Sequence, residues 1–152
     1  MRNIGLRISD SEDGMLIKLS RILGILPNGE RYHWHFGFVD GMPQRDHAIE
    51  IMDLIEERSN KFTAREISWD ELNGLCSKFF QIYDLTILGS IEKIAPEPYE
   101  SEWRYAKRYD FVATLVDGGF WEVYCKDKHI LDLYYAEFLE TKWITDSVES
   151  EH

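Results

Sequence analysis

A chain of 152 residues, 44% apolar and 14% aromatic, is long enough to bury a core of its own without disulfides or a structural metal. Its formal net charge of −11 opposes non-specific binding to nucleic acid or to an anionic membrane, and favours a basic partner over an acidic one. No apolar run approaches the length of a transmembrane helix, and the opening MRNIGLRISDSEDG turns acidic too early for a signal peptide.

These features predict a cytosolic protein, although solubility alone also accounts for the charge. Cys76 and Cys125 agree with that compartment. Each falls inside a predicted regular element and no CxxC occurs, which predicts two buried, inert thiols.

In chain order, Ile4, Leu6 and Ile8 alternate with smaller or polar residues and predict a strand over 3–9. DSEDG follows as a turn. Met15, Leu16, Leu19, Ile22 and Leu23 recur at helical spacing, and Gly24, Pro27 and Gly29 end that helix. Residues 31–41 predict a second strand, with Trp34, Phe36 and Phe38 on one face and His33, His35 and Gly37 on the other.

A helix follows, with Ala48, Ile51, Met52 and Ile55 as its buried stripe. Glu50, Asp53, Glu56 and Glu57 face water. FTAREIS is read as a short strand. Ser68 and Glu71 have capping-box spacing and open a third helix, with Leu72, Leu75, Cys76, Phe79 and Tyr83 along one side. LTILGSIEKI predicts a strand with a bulge at Gly89. The polar segment APEPYESEWR is a loop.

YDFVATLV and FWEVYCK flank Asp117-Gly118-Gly119, which predicts a β-hairpin. A two-residue turn puts Val112, Thr114, Val116, Trp121, Val123 and Cys125 on one face. Phe111, Ala113, Leu115, Phe120, Glu122 and Tyr124 then share the other. Only an odd loop length changes that partition. A hairpin apolar on both faces is either covered twice or leaves a face for a partner, and covering is the plainer account. Asp127 caps a last helix with stripe Ile130, Leu131, Tyr134 and Phe138, and 145–152 are expected to fray. The order of elements predicts one α+β domain over 1–152. Its sheet is largely antiparallel, with helices packed on it and a C-terminal β-hairpin followed by a helix.

Chemistry is sparse. No GxxxxGK[ST], GxGxxG or HExxH occurs. His33 and His35 form an HxH whose imidazoles point the same way on a strand. Zinc would need a third ligand from Asp40, His47 or Glu50, none at diagnostic spacing. Asp46 in RDH reads as helix capping. The basic cluster Arg104, Lys107 and Arg108 is flanked by Glu100 and Glu102, which argues against nucleic acid. No cofactor and no membrane contact are expected.

The segment DGGFWEVYCKDKHIL, with its hairpin turn, Trp-Glu-Val-Tyr strand and immediately capped helix, resembles C-terminal segments of small bacterial immunity-type proteins. The resemblance covers about fifteen residues. It implies a small acidic domain that inhibits a toxin by stoichiometric binding rather than by catalysis. Acidic residues would steer a basic toxin domain and aromatics would anchor it.

The expected partner-binding residues are Glu97, Tyr99, Glu100, Glu102, Trp103, Tyr105, Glu122 and Tyr124, with Asp10, Glu12 and Asp13 as further carboxylates. Two other readings are kept. One is a small metal-dependent hydrolase using His33 and His35. The other is a regulatory protein that homodimerises through an uncovered hairpin face; oligomeric state is not readable from the sequence.

Overall fold

A computed structural model of the chain describes residues 2–60, 65–94 and 102–146, without the side chains of 58–60, 102 and 103. The strands are β1 (Asn3–Ile8), β2 (Ser11–Glu12), β3 (Met15–Leu16), β4 (His33–Pro43), β5 (Phe79–Ser90), β6 (Phe111–Val116), β7 (Phe120–Cys125) and β8 (Thr141–Thr145). The helices are α1 (Leu19–Ile25), α2 (Ala48–Asn60), α3 (Trp69–Leu75), α4 (Glu102–Arg108) and α5 (Lys128–Glu137). Six strands form one antiparallel sheet in the order β4-β5-β6-β7-β1-β8, while β2 and β3 make a separate small hairpin. The expected α+β class, with a single domain and a largely antiparallel sheet, is what the chain adopts.

The main core lies on one face of the sheet. Leu6, Ile8, Trp34, Ile87, Phe111, Trp121 and Val123 meet side chains from α1, α2, α3 and α5 there. A smaller cluster on the opposite face joins Leu88, Val112 and Tyr124 to Tyr105 and Tyr109 around α4.

The C-terminal hairpin departs from the expected face partition. Val116 pairs with Phe120, so the loop is the three residues 117–119. Asp117 and Gly118 are both left-handed, with φ of 49° and 64°, and the Gly119 N–H donates to the Val116 carbonyl at 2.8 Å. An odd loop inverts the parity of one strand against the other. Phe111, Ala113 and Leu115 therefore share the core face with Trp121, Val123 and Cys125, and Glu122 and Tyr124 go with Val112 and Thr114. A Cβ at Gly118 opposes its left-handed backbone, so Gly118→Ala is expected to cost about 1 kcal/mol in urea unfolding.

Other differences have similar local causes. Phe36 pairs with Ile87 and Phe38 with Thr86, which leaves Gly37 as an extra residue. That bulge turns Phe38 away from Trp34 and Phe36 onto the second face, where it is exposed. Met15 and Leu16 belong to the small hairpin, and α1 starts at Leu19. On α2, Ile51 is buried but Met52 is exposed.

The capping box at Ser68 and Glu71 is present, yet α3 stops at Leu75, and Phe79 and Tyr83 belong to β5. Gly89 is not bulged. It pairs in register with Trp34 and Phe111, and an added Cβ would lie 2.9 Å from the Trp34 ring. Of FTAREIS, residues 62–64 lie outside the described residues, and Ile67 makes an isolated bridge to Trp34. Strand β8 follows α5 directly and forms the far edge of the sheet, beside β1.

Candidate functional site

On the second face, one rung crosses all six strands: Phe38, Thr86, Thr114, Glu122, Arg7 and Lys142. Two pairs of its polar members hold each other. The Arg7 guanidinium donates to Glu122 Oε2 from Nη2 at 2.8 Å and from Nε at 3.1 Å. The Tyr124 hydroxyl donates to Glu122 Oε1 at 3.0 Å. Arg7 also lies 4.1 Å over the Phe120 ring, a cation–π contact. The Thr86 and Thr114 hydroxyls are 2.9 Å apart, and Thr114 donates to the Leu85 carbonyl. Both oxygens of Glu122 are thus engaged.

Glu122, Tyr124 and Tyr105 are all buried, so they have little surface to offer a partner. Glu97, Tyr99 and Glu100 lie outside the described residues. Glu102 and Trp103 open α4, and their side chains lie outside them too. Asp10 is committed to the fold: its carboxylate accepts from the N–H groups of Leu139 and Glu140 at 2.9 and 2.7 Å. Glu12 pairs with Arg21 at 3.2 Å, and Asp13 occupies the left-handed turn before Gly14.

The two histidines of the HxH share a face of β4, as expected, but differ in exposure. His33 Nδ1 sits 2.9 Å from Glu66 Oε1 at the surface, whereas His35 is buried. His47 pairs with Glu50 at 3.4 Å. Among the described residues, no three His, Cys, Asp or Glu side chains gather to hold a metal ion. Asp46 lies in the 3-10 turn Arg45–His47, where Gln44 takes the cap position without a side-chain cap. Asp127 does cap α5, accepting from the His129 N–H at 2.9 Å.

Burial pushes both thiols up to about 11, from an ordinary value near 9. The thiolate is the nucleophile, so neither cysteine is expected to react with a thiol reagent at pH 7.5 until the chain is unfolded. The same shift has a stability consequence. As pH rises through 9 the unfolded chain loses these protons first, so stability is expected to fall between about pH 9 and 11. Urea midpoints at pH 8 and 10.5 check this.

A second candidate site is open to solvent. A groove of about 480 Å³ between α2 and α3 is lined by five carboxylates (Glu50, Asp53, Glu57, Asp70 and Glu71) and two cations (Arg65 and Lys78), with Leu54 and Leu75 also in its walls. Lys78 donates to Glu50 at 2.8 Å, and that hydrogen bond holds the Glu50 carboxyl below the usual range. Arg65 meets Glu71 at 3.2 Å. Among the described residues, the carboxylates of Asp53, Glu57 and Asp70 have no ion-pair or hydrogen-bond partner. Sequence reasoning placed Glu50, Asp53 and Glu57 on a solvated face but missed their convergence with α3. The signal was there in part, since the capped start of α3 adds Asp70 and Glu71. No protein-family model, no curated protein and no solved structure matches the chain.

Proposed function

We propose that this chain acts by binding: a noncatalytic inhibitor that seats on a basic protein partner, as an immunity protein seats on a toxin domain. The observation that carries the reading is the acidic groove between α2 and α3, where three of the five carboxylates lack a counter-charge among the described residues. Uncompensated surface charge of one sign raises the encounter rate with an opposite surface and disfavours wrong partners. The resemblance of the hairpin-and-helix segment to immunity-type proteins supplies the toxin class.

The test is coexpression with the C-terminal domain encoded by the neighbouring gene. A one-to-one complex in size exclusion with light scattering, together with rescue of cells from that domain, is the expected result. A domain that neither binds this chain nor harms cells lacking it ends the immunity reading. Association should also slow as salt rises from 50 to 500 mM, because the Debye length falls from roughly 14 to roughly 4 Å.

A further inference from the structure

We propose that the docking surface is the outer side of α2 together with the α2–α3 groove, and that its occupant is a cationic amphipathic segment of the protein partner. The inference rests on the binding reading above and places it on named residues. Ile49 and Met52, three apart on α2, are 81% and 52% exposed. Residues at that spacing share a helix face, so α2 presents two apolar side chains outward while Ile51 anchors it inward.

Several acidic residues around that face lack a counter-charge among the described residues. Asp53 and Glu57 are four apart on α2, a like-charge spacing that destabilises a helix by about 0.2–0.5 kcal/mol. Asp70 lines the same groove from α3.

Charge complementarity selects the occupant. Apolar side chains beside carboxylates that lack a counter-charge among the described residues fit a segment that presents apolar residues flanked by Lys or Arg. Nucleic acid is repelled by the same carboxylates.

The probe is a synthetic 14-residue helix of leucine and lysine, titrated into the isotope-labelled chain and followed by amide NMR. Shifts are expected to concentrate in residues 48–57 and 69–78. The same helix with glutamate for lysine should produce none. The triple variant D53N/E57Q/D70N should bind the lysine helix about tenfold more weakly or worse at low salt. Shifts centred elsewhere, equal affinity for the glutamate helix, or saturation of the same amides by magnesium or spermidine alone would each overturn the proposal. The neighbouring-gene domain separates the two claims: equal binding to parent and triple variant removes this surface and keeps the binding function, whereas binding to neither removes the function.

Discussion

Trp34→Ala is expected to cost about 3–5 kcal/mol of stability, a large share of the roughly 5–15 kcal/mol that holds an ordinary domain folded. The residue joins three parts of the fold. Its ring is fully buried and packs 5.5 Å from Trp69, 5.3 Å from Tyr32 and 5.8 Å from Phe111, centroid to centroid. Its indole N–H donates to the Gly29 carbonyl at 2.8 Å. Its own carbonyl accepts from the Ile67 N–H at 2.9 Å, which ties the approach to α3 onto the edge strand.

Alanine deletes the ring and leaves a cavity in an aromatic cluster, while the Gly29 carbonyl loses its donor. Trp34→Phe separates the two effects. It keeps much of the packing but not the N–H, and should lose about 1–3 kcal/mol. Gly89→Ala tests the same contact from beneath, because its Cβ would press on the ring and force a shift costing about 1–3 kcal/mol. Urea unfolding measures all three. A loss below 1 kcal/mol for Trp34→Ala would show that the ring does not occupy this core.

The aromatic cluster was half legible in the sequence, and the reason is physical. Alternation on β4 identifies Trp34 and Phe36 as core, and the structure agrees. The same alternation places Phe38 with them, and there a single inserted residue defeats it. Period-two reasoning holds only between bulges, and Gly37 is one. The hairpin failed in the same way. Its existence was plain from Asp117-Gly118-Gly119, but its parity depended on whether Gly119 joined the turn. A one-residue difference moved Glu122 to the opposite face from Trp121's neighbours in β6.

In α3 the error had another origin. Leu72, Leu75, Phe79 and Tyr83 recur at spacings of three and four, so they imitate a helical stripe, yet Phe79 is buried as part of β5. Tertiary pairing with β4 overrode local periodicity there. The groove was less legible still, because it needs α2 and α3 side by side, and no local pattern encodes that approach.

Arg7→Ala is the second large expected effect, about 1–3 kcal/mol. The Glu122 side chain is only 11% exposed, whereas that of Arg7 is 43% exposed. Removing Arg7 strips Oε2 of both its donors and leaves a mostly buried carboxylate with the Tyr124 hydroxyl alone. It also removes the cation over Phe120. Glu122→Gln should cost less, about 1 kcal/mol, because the amide oxygen can still accept from Arg7 and the half-exposed guanidinium can be rehydrated. The double variant should therefore fall short of the summed single losses by at least about 0.5 kcal/mol, the mark of two groups in one network.

Binding measured on the same proteins distinguishes structure from recognition at this position. If Glu122 serves the sheet, Glu122→Gln will lower the urea midpoint while partner affinity stays within about twofold, since rim and remote charges contribute little to affinity. A variant with parental stability and tenfold weaker binding would return Glu122 to the interface. It would also mean that the rung across the six strands, rather than the α2–α3 groove, faces the partner.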